Sequence, residues 1–341
     1  MAILNESAIK EKLRENPVGV YLIYGEEDYL KKVYAEKIVA KCVDKDFADF
    51  NLHVFEGAGA DLSAIYDATQ GVPMMSETNC VFVKDMPFES FGDADMKTLD
   101  TVITECPETC SLVFLMQGTV SGAKWNKVAK LFEAKANAVL LNKKTPAELV
   151  KMLESGAKKR NAPFEAGVAN YLLTCVGNDL NTLLNETDKV CAYAAGRTVK
   201  KSDVDTVCIR TLESKVFDIT KALLSGRLGA ALQSLNNLVN QREDMIMVMG
   251  ALISAYVDIY RARSAVKAGK RAEYIAEFYD YRNKIFRLTN AARDGASMSA
   301  QDIYESIEVL AWADSQLKSS SADVHAMIVE QTLVKLAMLR N

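Results

Sequence analysis

The stretch from Val18 to Lys32, which contains VYLIYGEEDYLKK, constrains the fold more than any other part of the chain. Val18, Val20, Leu22 and Ile23 make a short apolar run that breaks at Gly25 and gives way to a helical pattern. A strand, a glycine turn and a helix start are the frame of a phosphate-binding loop. Set against G-x-x-x-x-G-K-[ST], Gly25 takes the first glycine and Lys31 the lysine. Leu30, however, stands where the second glycine belongs, and Lys32 replaces the Ser/Thr that would hold Mg²⁺. Glu26, Glu27 and Asp28 add three carboxylates where bare backbone N–H groups should face an anion. Acids there also suit an ordinary strand-to-helix turn, where they complement the positive end of the helix dipole. On either reading the nucleotide site is degenerate, and no ATP, metal or other cofactor is expected.

The first third of the chain alternates short apolar runs with helical patterns. Strands are expected at Leu52–Phe55, Cys80–Val83, Ser111–Met116 and Ala138–Leu141, with helices at Glu6–Arg14, Tyr29–Cys42 and Leu62–Thr69. Such alternation favours a mainly parallel sheet covered by helices on both faces. The later strands end in Lys84-Asp85 and Gln117-Gly118, without the carboxylate pair that would hold Mg²⁺ and poise water for ATP hydrolysis.

Thr145-Pro146-Ala147-Glu148 then opens a helix, with Thr145 as N-cap, Pro146 at N1 and Glu148 closing a capping box. No convincing strand follows. Helices are expected over Gly167–Val176, Leu180–Ala195 and Lys201–Cys208, the last capped by Ser202. Val216, Ile219 and Leu223, then Leu228, Ala231, Leu232, Leu235 and Val239, carry the spacing of a helical bundle. Met245, Met247 and Met249 are expected in its core. The layout is therefore α/β followed by all-α, with divisions at 1–143, 144–210 and 211–341.

Charge and chemistry narrow the function. With a net charge of −4 the chain is no polycation built to grip DNA unaided. Lys158-Lys159-Arg160 and Arg261–Arg271 are basic stretches that read first as solvated helix faces. Seven scattered cysteines, the nearest pair being Cys106 and Cys110, point to reduced cytosolic thiols rather than disulfides or zinc. Only His53 and His325 could serve a histidine-dependent nucleophile, and no catalytic motif accompanies either. No apolar run is expected to span a membrane, and no leader pattern opens the sequence. Catalytic residues: none.

One connecting stretch stands apart. Pro73 disfavours helix at Val72, so a helix ending near Thr69 leaves Val72, Pro73, Met74 and Met75 on a turn before the strand Cys80–Val83. Two adjacent methionines at an exposed tip would make a flexible apolar anchor for a partner's pocket. The same residues could instead fold down onto the sheet, and local pattern leaves both placements open.

Several of these stretches together resemble a known family. YLIYGEEDYL, PMMSE-x-x-x-VFVKD, GNDLNTLLNETDKV at 177–190, VFDITKALLSG at 216–226 and ADSQLKSSSAD at 313–323 are similar, in order, to delta subunits of bacterial DNA polymerase III. The resemblance implies an AAA+-like α/β domain with a degenerate P-loop (Gly25, Leu30, Lys31, Lys32), a helical lid and a C-terminal helical collar. It implies a cytoplasmic clamp-loader subunit that binds and opens the sliding clamp without hydrolysing ATP, inside a DNA-directed DNA polymerase (nucleotidyltransferase) holoenzyme. Partners implied are the clamp, the other loader subunits through the collar, and primed DNA; no membrane is implied. The clamp-binding residues map onto Met74 and Met75, with Val72 and Pro73 shaping the turn. The family more often has Leu-Phe at that pair. The competing readings are an ATP-hydrolysing loader subunit and an AAA+-derived scaffold for another partner.

Overall fold

The computed structural model describes residues 3–281 and 284–339, and its chain divides into two compact units, Met1–Lys144 and Thr145–Asn341. The first begins with α1 (Glu6–Glu15), β1 (Val20–Tyr24), α2 (Asp28–Cys42), α3 (Ala48–Asn51), β2 (Leu52–Glu56) and α4 (Leu62–Thr69). It continues through β3 (Asn79–Lys84), α5 (Asp93–Thr104), β4 (Cys110–Leu115), α6 (Ala123–Lys135) and β5 (Asn137–Leu140). The strands form one all-parallel sheet in the order β2-β3-β4-β1-β5. The chain leaves β1 for the far edge, steps back through β3 and β4, and crosses β1 to add β5. The carboxyl end of β1 is thus the topological switch point, where open α/β sheets hold ligands.

Period-2 alternation explains how the sheet is covered. Leu22, Tyr24, Val81, Val83, Leu112, Phe114 and Ala138 join one core cluster with residues of α4, α5 and α6. Phe88, Phe114, Phe132 and Trp125 meet there edge-on or tilted, at 5.3 to 6.5 Å between ring centroids. Strands buried on both faces read as continuous apolar runs, and all of β4 is buried. The expected strands and helices appear with bounds that differ by one or two residues.

The second unit is helical: α7 (Pro146–Lys159), α8 (Val168–Val176), α9 (Leu180–Ala194), α10 (Lys201–Val207), α11 (Leu212–Leu224) and α12 (Leu228–Asn240). It closes with α13 (Met245–Lys267), α14 (Phe286–Asp294), α15 (Ala300–Ser319) and α16 (His325–Met338). The Thr145–Glu148 capping box forms as expected. The cap of α10 differs: Lys200 is the N-cap, and Asp203 accepts its N–H at 2.8 Å. Asp203 also takes a two-toothed ion pair from Arg197, so the carboxylate rather than the Ser202 hydroxyl fixes this turn.

Two core expectations need correction. Leu238, not Val239, reaches the bundle core, because the packed face of α12 is set by Ala231 and Leu235. Met245 and Met249 are buried as expected, whereas Met247 is 61% exposed on the opposite side of α13. Helix α13 is also long and apolar enough, by length and composition, to cross a membrane, contrary to the sequence expectation. Here it is the central helix of the bundle, packed by α11, α14, α15 and α16. It buries Asp258, which accepts from Tyr281 Oη and, at 2.7 Å, from Arg287 Nε.

Candidate functional site

Two loops of the first unit carry the residues singled out from the sequence, and they lie at opposite ends of the parallel strands. The first follows β1. Gly25 has φ +122°, and a Cβ there would sit 2.3 Å from the Leu141 carbonyl oxygen. The turn is stitched to that residue on both sides: Leu141 N–H donates to Tyr24 O at 2.8 Å, and Glu27 N–H donates to Leu141 O at 3.0 Å. An N–H that a phosphate would need is therefore already bonded. Leu30 is buried in the core, and Lys32 points outward on α2.

Lys31 is the unexpected member. It is 1% exposed, and its ammonium donates to Gly25 O at 2.7 Å, to Gly118 O at 2.8 Å and to the Asp28 carboxylate at 2.8 Å. Three donors meet three acceptors, which is what makes a buried lysine tolerable. Asp28 also accepts the Gly118 N–H at 2.8 Å. Partial burial alone would raise the Asp28 carboxyl, but Lys31 and that N–H outweigh it and hold it below the usual range. Asp85, at the end of β3, has φ +49° and accepts the Gln117 N–H at 2.7 Å. The carboxylate that ends β3 thus braces the neighbouring loop. These residues do not fit a nucleotide: Lys31, the Glu27 N–H, Asp28 and Asp85 already have partners within the chain.

The second loop, residues 70–78, leads into β3. Val72 is 90% exposed, Met74 53% and Met75 78%, while Pro73 is half-buried. Met75 adopts φ +52°, a left-handed conformation that costs a non-glycine residue about 1–2 kcal/mol. A strained backbone that exposes an apolar side chain is held by its surroundings. Asn51, fully buried at the end of α3, supplies the hold: its Oδ1 accepts Met74 N–H at 2.7 Å and its Nδ2 donates to Met74 O at 2.8 Å. Asn79 Nδ2 donates to Gly71 O at 2.9 Å, and Thr78 Oγ1 donates to Cys42 O. The backbone is fixed from below by buried polar side chains, and the apolar side chains project from above.

Sequence reasoning missed Asn51 and Asn79 as positioning residues. Asn51 lies 23 positions from its partner, and only the parallel pairing of β2 with β3 brings the approaches to the two strands together. Three arginines of the basic stretches have partners within the chain. Arg160 pairs with Asp188 and donates to Gly156 O at 2.9 Å. Arg261 lies 3.7 Å from the Tyr279 ring centroid, and Arg271 pairs with Glu273 at 3.3 Å. His325 is buried with its Nε2 3.3 Å from Ser320 O, and His53 is half-buried on β2.

The family model for the DNA polymerase III delta subunit matches residues 21–142, and that for the C-terminal domain of the same subunit matches residues 213–336. The curated DNA polymerase III subunit delta of Bacillus subtilis is 22% identical over 328 residues, covering 94% of this chain and 92% of the relative. The solved Bacillus subtilis DNA clamp loader delta protein covers 97% of this chain and 98% of its own, with a TM-score of 0.68 at 22% identity. A Thermotoga maritima RuvB Holliday junction branch migration motor matches 63% of this chain and 75% of its own at 12% identity and a TM-score of 0.38, too remote to carry an argument. By two matching models, one on each of its two units, the chain belongs to the DNA polymerase III delta subunit family.

Proposed function

We propose that this chain is the subunit that binds and opens the sliding clamp for loading onto primed DNA, and that it does so without hydrolysing ATP. The single observation that carries this reading is the exposed Val72–Met75 tip on a backbone pinned by Asn51. A pre-organised apolar tip binds well because little ordering entropy is lost on docking. Opening a ring then requires only that the tip favour the open form. The differential affinity sets the shift, and a tip that bound both forms equally would open nothing. The self-satisfied Lys31 cluster supports a chain that leaves hydrolysis to other loader subunits. Within the same reading, residues 144–210 are the helical lid and 211–341 the collar that joins the loader ring, acting in the cytoplasm.

Calorimetry of the full chain with the clamp of the same organism tests the proposal, with Met74→Ala/Met75→Ala alongside. Fully burying two such side chains is worth roughly 1.5–3 kcal/mol each. Affinity should fall ten-fold or more in a double variant that melts like the parent. Tight binding that ignores the substitution would move the contact elsewhere; absence of binding by the parent would sink the clamp assignment. The other readings make opposite demands. Measurable ATP turnover by the isolated chain would revive the hydrolysing subunit, and the AAA+-derived scaffold for another partner calls for a buried tip, whereas Met74 and Met75 are exposed.

A further inference from the structure

Two neighbouring segments are fastened to the loop that bears the apolar tip. Strand β3 lies between β2 and β4, so the approaches to those two strands flank the loop that leads into it. On one side are residues 42–51: Thr78 Oγ1 donates to Cys42 O, and Asn51 holds the N–H and the carbonyl of Met74. On the other is the turn between α5 and β4, residues 105–109. Gln70 Nε2 donates to Glu105 O at 3.2 Å, and Asn79 N–H donates to Thr109 O at 3.0 Å. Both flanks are acidic. Asp44, Asp46 and Asp49 are exposed on the first, Glu105 and Glu108 on the second, and Glu77 on the loop itself. Lys45 is the one base in these three stretches, so six carboxylates against one ammonium leave −5. The whole chain carries −4, which leaves +1 for all the rest. The net negative charge is thus concentrated on the segments that flank Val72, Met74 and Met75. Two of the acids also hold bonds: Asp44 accepts the Asp46 N–H at 3.0 Å, and Glu105 accepts from Tyr66 Oη at 2.6 Å.

An apolar tip flanked by acids is repelled by a phosphate backbone, by an anionic lipid surface and by the same end of a second copy. It fits a protein pocket with an apolar floor and a basic rim, because interfaces surround a dry centre with charges of complementary sign. We propose that the partner pocket which takes Val72–Met75 is rimmed by basic side chains, and that Asp46, Asp49, Glu77 and Glu108 steer the tip into it. The inference rests on the clamp reading above and adds the chemistry of the docking site. The methionines and the acids then have separable tasks. Burial of the methionines governs how long the complex lasts, whereas the rim charges act on encounter and are screened by salt.

The test is the association and dissociation rates of the full chain with the clamp of the same organism, measured across a salt series. Between about 0.01 M and about 1 M salt the screening length falls from about 30 Å to about 3 Å. Association of the parent should slow steeply over that range. Asp46→Asn/Asp49→Asn/Glu77→Gln/Glu108→Gln spares the two acids that hold bonds. At low salt it should associate roughly ten-fold more slowly than the parent, and at high salt equally fast, with little change in dissociation. Met74→Ala/Met75→Ala should do the reverse, dissociating faster while keeping the parent's salt slope. Parent association that ignores salt overturns the inference without need of any variant. So does a neutralised chain that associates as fast as the parent, or faster, at low salt. Either result leaves the clamp reading standing where binding stays tight and depends on the methionines, whereas absence of binding by the parent sinks both. Binding to phosphatidylglycerol vesicles, or self-association, that the methionine substitutions abolish would give the tip to lipid or to a second copy and overturn the basic pocket.

Discussion

The loop after β1 and the loop before β3 use buried polar side chains toward opposite ends. In the first, Lys31 turns inward and its ammonium is enclosed by Gly25 O, Gly118 O and Asp28, so the switch point of the sheet is shut. In the second, Asn51 turns inward and holds the Met74 backbone, which frees the tip to present apolar side chains. One polar anchor closes a site and the other opens one. The difference lies in what the anchor satisfies. Lys31, the group that could hold a phosphate, spends its donors on two carbonyls and Asp28, whereas Asn51 binds backbone and leaves the apolar side chains free.

The contrast breaks first at Gly25. Alanine there meets the Leu141 carbonyl at 2.3 Å and a forbidding φ, so stability should drop by about 3 kcal/mol or more in urea unfolding. A change near zero would mean that β1 and Leu141 are not tightly stitched. Next is Lys31→Met, which strands the Gly25 and Gly118 carbonyls and should cost about 2–4 kcal/mol. A loss under about 1 kcal/mol would show that water replaces the ammonium and that the closure is not lysine's doing. On the open side, Asn51→Ala removes both bonds to Met74 and should cost about 1–3 kcal/mol. It should also weaken clamp binding with both methionines intact. Unaltered affinity in that variant would show that the tip needs no pinning.

The smallest effect concerns pH. Glu6 is held to about 2 from an ordinary 4.5: burial would raise it, but its bonds to Lys10 and Lys144 win. It also accepts from Tyr34 Oη at 3.0 Å, tying α1 to the helix that carries Lys31. A carboxyl depressed on folding contributes stability that is complete above pH 4.5 and is lost as pH falls toward 2. Discounting for solvent around Lys10, that is about 1–2 kcal/mol. Comparing urea midpoints of the parent and Glu6→Gln at pH 7 and pH 3 checks it. The gap should narrow at the lower pH, and a constant gap would place the stabilisation in packing.

How far the residues could be read depended on the range of the interaction. The strands around Leu22, Val81 and Phe114 were legible because burial on both faces leaves uninterrupted apolar runs. The Thr145 capping box was legible because its partners lie three residues apart. The cap at Lys200 was misread although its partner also lies three residues on: lysine has no side-chain oxygen to mark it as an N-cap, whereas Ser202 does, and the turn is fixed by the Asp203 carboxylate instead. Val239 and Met247 were misread because a spacing rule fixes a periodicity but not which side of the helix its neighbours cover.

By itself the sequence determined the alternating α/β order, the helical remainder, and a phosphate loop spoiled by Leu30 and Lys32. It also marked Val72–Met75 as unable to continue a helix. Each of these follows from neighbours within a few positions, where backbone geometry and side-chain type act directly. Only the tertiary structure decided that Lys31 fills the site it would have served, that the methionines face outward, and that Asn51 holds them there. Those outcomes need contacts across 87 residues from Lys31 to Gly118 and 23 from Asn51 to Met74. Parallel strand pairing creates both, and no local spacing encodes them.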